Sequence, residues 1–191
     1  ASVNLSAIAR NLAVLRAASP TTIQMAIVKA NAYGHGLIPV ALASLKAGAQ
    51  WLGVAQLAEA LELRAGLDEA GIARKDAPIF AWISATGADF TAAIEADIDL
   101  SVSWTWVLDE ICAAARALGR PARVHVKIDT GMSRAGSTLA DLPELAQALR
   151  EAQDQGLIEI VGAWSHMSRA DDPSPSGEES TRSHVKIFEE G

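Results

Sequence analysis

The feature that most constrains this chain is a regular alternation of short apolar, β-branched runs with longer stretches of helical period. Runs at 23–28, 51–54, 79–83, 98–102, 123–128 and 158–162 read as strands. Helical spacing fills 37–47, 56–65, 89–96, 104–118 and 141–155. A first helix precedes them from Ser6: Ile8, Leu12 and Leu15 share a face, Ser6 is placed to cap the free amides and Pro20 lies beyond the end. Gly48 and Gly66 read as helix stops. Strands joined through helices run parallel and are expected to be buried on both faces. Sustained βα repetition without a Gly-x-Gly-x-x-Gly turn after the first strand favours a barrel over a dinucleotide-binding sheet. The expected fold is therefore α/β, a TIM-type (β/α)8 barrel that is incomplete. Closure takes eight strands and usually about 250 residues, whereas these 191 residues hold about six βα units. Residues 1–191 are read as one amino-terminal part of such a barrel. The start at Ala1 instead of Met, and the end at Gly191 just after a helical pattern, suggest a fragment. The polar stretch 168–179, with its Pro and Ser residues, is expected to be a surface loop after the sixth strand.

Composition narrows the partners. Half of the residues are hydrophobic and a fifth are charged, enough to build a sizeable core, and the net charge of −7 disfavours nucleic acid and anionic lipid surfaces. The single cysteine, Cys112, lies in an apolar helical pattern, so no internal disulfide is expected and a reducing compartment, the cytoplasm, fits best. No apolar run approaches the roughly 18–20 residues needed to span a bilayer. Asp171 and Asp172 are adjacent carboxylates, but no further ligand stands at metal-binding spacing, so they read as loop-capping groups and no metal is expected. The five tryptophans read as core or barrel-rim packing.

The first strand ends on a lysine. Met25-Ala26-Ile27-Val28 are all expected to be buried, so Lys29 emerges at the carboxyl end of a central strand, where barrels place their chemistry. A lysine closing a strand is most often a snorkelling surface residue. Withdrawn from water, however, its neutral amine is the nucleophile that condenses with an aldehyde. The following residues decide between the two. Lys29-Ala30-Asn31-Ala32-Tyr33-Gly34-His35-Gly36 resembles, along its whole length, the cofactor-lysine signature of alanine racemases. The resemblance continues through Trp51-Leu52-Gly53-Val54-Ala55, Glu59-Ala60-Leu61-Glu62-Leu63-Arg64 and later segments, covers essentially the entire chain, and is nearest to racemases of actinobacterial type. It implies that Lys29 holds pyridoxal 5'-phosphate and acts as one of two bases, and that Tyr33 contacts the cofactor phosphate. The glycines permit a tight turn close to the cofactor. His35 reads as a loop residue bonded to backbone.

Two further segments belong to the same resemblance. Val124-His125-Val126-Lys127-Ile128-Asp129-Thr130-Gly131-Met132-Ser133-Arg134 sets two cations beside the fifth strand. Taken as residues alone, Lys127 and Arg134 simply face apart. The resemblance implies instead that Lys127 is carbamylated by carbon dioxide, and that Arg134, paired with the resulting anion, orients the cofactor and the substrate carboxylate. The family usually carries Gly where Ser133 stands, a departure expected not to disturb the loop. His166, in Gly162-Ala163-Trp164-Ser165-His166-Met167, matches the histidine that packs against the pyridine ring. As a lone residue it would read as structural.

The resemblance implies a homodimeric enzyme that interconverts L- and D-alanine and supplies D-alanine for peptidoglycan. Racemisation needs a second base opposite Lys29. In the family that base is a tyrosine of the other subunit, placed after the barrel in sequence. Tyr33 is the single tyrosine here and already has another place. The rest of the barrel and a carboxyl-terminal β domain are expected to be missing, and the 191 residues alone to be inactive. Two rival readings remain: a non-catalytic pyridoxal-phosphate homeostasis barrel, and a related decarboxylase or aldolase.

Overall fold

The computed structural model describes residues 2–191. They divide into two compact units that meet between Leu100 and Ser101 in the chain.

The first unit opens with α1 (Leu5–Ala18), which is capped by Asn4 and not by Ser6. The Asn4 side-chain oxygen accepts the amides of Ser6 at 3.1 Å and Ala7 at 3.3 Å, so Ser6 already lies inside the first turn. β1 (Met25–Ile27) is shorter than the apolar run around it. Ala26 and Val28 are buried, but Ile23 is 66% and Ile27 41% exposed, which corrects the expectation of burial on both faces. The Met25 and Ile27 side chains instead lie across Gly53, where an added Cβ would meet both at 2.8 Å. Then follow α2 (Lys29–Gly34), α3 (Leu37–Lys46), β2 (Trp51–Gln56) and α4 (Leu57–Glu69). A single 3-10 turn (Arg74–Asp76), β3 (Ile79–Ile83), α5 (Phe90–Glu95) and β4 (Ile98–Val102) complete the series, the last residues of β4 passing into the second unit. β1 to β4 pair in parallel and in chain order, with Met25 opposite Trp51, Leu52 opposite Ile79 and Ile79 opposite Ile98. Leu52, Val54, Ile79 and Leu100 from the strands and Leu63 and Leu67 from α4 are almost wholly buried.

Gly66 does not stop α4. The helix runs through it because the Ile38 side chain of α3 occupies the place of its missing Cβ. Arg64 is 2% exposed and ties α4 to three carbonyls, those of Ala96 at 3.0 Å, Ala77 at 3.2 Å and Asp97 at 3.4 Å. Burial lowers its affinity for a proton.

The second unit contains α6 (Thr105–Leu118), β5 (Ala122–Lys127), α7 (Leu142–Asp154), β6 (Ile158–Trp164) and α8 (Pro175–Glu190). α6 ends at Gly119 in the left-handed region, φ 64°. β5 and β6 are parallel, with one residue of slip between Val124 and His125. Most of β6 is only half-buried, so it too departs from burial on both faces. Together the units contain six strands alternating with helices, about six of the eight βα units of the expected barrel. The expected loop 168–179 is cut short by α8, which starts at Pro175 with Ser174 as cap, its hydroxyl accepting the Gly177 amide at 3.2 Å. Before it, Asp172 works as a loop cap. Its carboxyl is lowered to about 2, first by the Ser174 amide and hydroxyl, then by Arg169. Cys112 is buried in α6, and burial pushes its thiol up. Among the described residues no helix is long and apolar enough to cross a membrane, and no group of three metal-ligating side chains forms.

Candidate active site

In the first unit, the buried alternation of β1 ends at Val28, 1% exposed, and Lys29 follows half-buried. Its ammonium lies 5.8 Å from the ring centroid of Tyr33 and 5.8 Å from that of Trp82. No carboxylate among the described residues pairs with it. Contact with ring faces is weak, about 0.5–1 kcal/mol at exposed sites, so it steers the amine without tying it up. The approach of Tyr33 follows from an unusual backbone. Ala30, Asn31, Ala32 and Tyr33 all have φ of 53–54° and ψ of 36–51°, making α2 a left-handed turn. A left-handed turn still brings the fifth residue back over the first, here Tyr33 over Lys29. For L-residues it costs about 1–2 kcal/mol per residue, and such strain persists where the surroundings over-determine it. The glycines were expected to take the positive φ, and Gly34 and Gly36 do, at 82° and 97°, but the four non-glycine residues share it.

Several hydrogen bonds hold the turn. The Ala32 amide donates to the Val28 carbonyl at 2.8 Å, the Gly36 amide to Asn31 at 3.0 Å and the Leu37 amide to the Asn31 side chain at 2.7 Å. From another element, Glu59 of α4 accepts the Ala30 amide at 2.5 Å. His35 is bonded through Nδ1 to the Ala32 carbonyl at 2.9 Å, a loop role as expected.

In the second unit, Lys127 closes β5 and is 5% exposed, its ammonium 4.4 Å from the Trp164 ring centroid. The Trp164 indole N–H donates to Ser101 Oγ at 3.1 Å. Lys127 is held below its ordinary value, chiefly by burial and then by the positive charge of Arg134, with Asp129 opposing. The structure thus makes these two cations electrostatic neighbours, while Arg134 itself stands exposed. Asp129 shapes the loop between them by accepting the amides of Gly131 and Ser133, each at 3.0 Å. Ser133 takes φ 54°, so the loop forms with serine in a conformation that suits glycine better. Gly136 admits no substitute, because a Cβ there would lie 2.6 Å from the Asp129 nitrogen. His166 is exposed after β6.

A polar chain around a buried histidine escaped the sequence reading. His184 of α8 is 5% exposed, with Nδ1 2.8 Å from Thr130 Oγ1 and Nε2 3.0 Å from Ser168 Oγ. Thr130 Oγ1 lies 2.6 Å from Ser165 Oγ, which donates to the Ile128 carbonyl at 2.8 Å. The chain joins the loop that leads to Arg134 with the residues on either side of His166. Glu59 lies in an ordinary helical pattern, and His184 sits in a hydrophilic stretch. Neither carries a local signal of its partners.

Parallel strands alternating with helices, with a lysine amine at the carboxyl end of the first, define a domain of the βα-barrel type. Residues 3–191 match the family described as alanine racemase, N-terminal domain, and the chain belongs to that family. It is 50% identical over 188 residues to the alanine racemase of Beutenbergia cavernae, covering 98% of this chain and 47% of that protein. The solved alanine racemase of Streptomyces coelicolor is 42% identical with a TM-score of 0.90, over 97% of this chain and 47% of that one. The Clostridium difficile alanine racemase in complex with cycloserine is 30% identical with a TM-score of 0.84, over 98% and 49%. The chain spans about half the length of the curated relatives it matches.

Proposed function

We propose that this chain supplies the cofactor-lysine domain of a pyridoxal-5'-phosphate-dependent alanine racemase, a cytoplasmic homodimer that interconverts L- and D-alanine and feeds peptidoglycan synthesis. The observation that carries the reading is Lys29: a half-buried amine without a carboxylate partner, at the carboxyl end of β1 on a strained turn, in a member of this family. The donor set suits the cofactor. A primary amine can carry its aldehyde, the Tyr33 phenol can donate to a phosphate oxygen, and the Arg134 guanidinium can donate to anionic oxygens. When bound, pyridoxal phosphate supplies an electron sink for the charge left on the substrate carbon when its proton departs.

The remaining roles fall to the protein. Lys29 takes or returns the proton on one face of the substrate. Inversion needs a second group on the other face, which we assign to a tyrosine of a partner subunit. Arg134 holds the substrate carboxylate, and His166 is assigned to pack beside the cofactor ring. Lys127 is the carbamylation site: its ammonium sheds one proton, the neutral amine attacks carbon dioxide, an N–C bond forms as a C–O π bond opens, and a second proton leaves, so that a cation has become an anion. Burial and the charge of Arg134 both favour that neutral amine, and the product would pair with Arg134 where the ammonium repels it.

The test is borohydride reduction of the chain mixed with pyridoxal phosphate, followed by peptide mass spectrometry. A pyridoxyl group on Lys29 is expected. An adduct concentrated on another lysine, or spread evenly over the lysines, would refute the assignment.

A further inference from the structure

We propose that Glu59 is a positioning residue for Lys29, with a carboxylate that sets the left-handed turn from the helix that follows the neighbouring strand. This rests on the proposed role of Lys29. Both Glu59 oxygens are engaged by backbone. Oε1 accepts the Ala30 amide at 2.5 Å, and Oε2 accepts the amides of Ala55 at 3.1 Å and Gln56 at 3.0 Å. The Ala30 N–H belongs to the peptide plane that begins at the Lys29 carbonyl, and that plane is rigid. Gripping its N–H therefore sets ψ of Lys29 and the entry into the four residues of positive φ.

The other hydrogen bonds of the turn itself run within residues 28–37, and the Val28 amide, which donates to the Gly53 carbonyl at 2.8 Å, fixes only the residue before it. Glu59 instead belongs to α4, which follows β2, whose Gly53 is in register with Ile27, two residues before Lys29. One carboxylate thus indexes the lysine turn against the adjacent strand. Hydrogen bonds to an ionised acceptor are roughly twice as strong as neutral ones, which suits an anchor that must hold a strained backbone. Glu59 accepts three backbone amides and forms no pair with the Lys29 ammonium. It acts on Lys29 through backbone alone.

Glu59→Gln keeps the shape but removes the charge and turns one end into a donor facing N–H groups. Because Glu59 also caps α4, Gln56→Gly serves as a control: it removes the side chain that accepts the Glu59 amide in the same capping box and leaves the contact with Ala30. Two readouts apply to each chain, namely hydrogen exchange of peptides spanning residues 29–36 without cofactor, and the pyridoxal phosphate concentration that half-saturates the borohydride-trapped adduct on Lys29. Loss of a charge-assisted bond predicts that Glu59→Gln speeds exchange in 29–36 at least about tenfold and raises the half-saturating concentration severalfold, with far-UV circular dichroism unchanged. Gln56→Gly should move neither. Wild-type exchange and trapping in Glu59→Gln, or equal effects in Gln56→Gly, would overturn the proposal. If the wild-type chain forms no adduct on Lys29, the functional reading fails, and the exchange measurement alone decides whether Glu59 sets the turn.

Discussion

Lys127 shows how a single residue can carry a cost in one chemical form and a use in another. Its ammonium is buried beside Trp164 and repelled by Arg134, so the folded chain holds its proton less tightly than the unfolded chain, whose value is near the ordinary 10.5. The sign of the pH dependence follows. Below the folded value the lysine is charged in both states and its full penalty weakens the fold. As pH rises through the folded value toward 10.5 the native state sheds its proton first, and the penalty is relieved. Lys127→Met should therefore unfold at higher urea concentration than the parent at neutral pH, with carbon dioxide excluded, and should lose the part of the alkaline gain in stability that Lys127 contributes. A lower midpoint for the variant would show that the ammonium is stabilising where it stands. Carbon dioxide should raise the parent's midpoint and leave the variant's unchanged.

At the scale of elements, the strands and helices were largely legible, and the differences lie at ends and turns. The apolar periods located all six strands, because burial against a neighbouring layer selects the same residues that the pattern marks. Caps were less legible. Asn4 and Ser6 are both good capping residues, and the start of the helix at Leu5 puts Asn4 opposite the free amides. Gly66 looked like a stop and proved to be a contact, since packing against Ile38 outweighs its weak helical preference. α8 began earlier than expected although Ser174-Pro175 is a sound start signal, because the polar composition around it masked the helix. Its His184 holds two loops together through Thr130 and Ser168. His184→Ala takes a partner from the buried Thr130 hydroxyl and should cost about 1–3 kcal/mol, with faster amide exchange at 130–134 and 165–168 than in the rest of the unit. An unchanged melting midpoint would remove the structural role assigned to the chain. Gln at this position can offer both a donor and an acceptor and should recover part of the loss.

For the whole molecule, what matters is the relation of this chain to proteins about twice its length. One proton base is assigned to Lys29, and Tyr33, the single tyrosine, leans over that lysine instead of facing it across a substrate. The 191-residue chain should therefore accept pyridoxal phosphate at Lys29 yet show no measurable inversion of alanine in a polarimetric or coupled assay. A polypeptide of the relatives' full length should be active, and Lys29→Ala in it should lower the rate by about a thousandfold or more. Normal racemisation by the shorter chain would mean that the second base lies within it.

The order of strands and helices, the parallel pairing and the position of the lysine were determined by sequence alone, because periodicity and a contiguous run of eight residues are local properties of the chain. The hand of the turn after Lys29, the carboxylate that grips it and the histidine that joins the later loops were decided by tertiary structure. These depend on contacts between residues 29 and 54 positions apart, and on strain that only a surrounding fold can sustain.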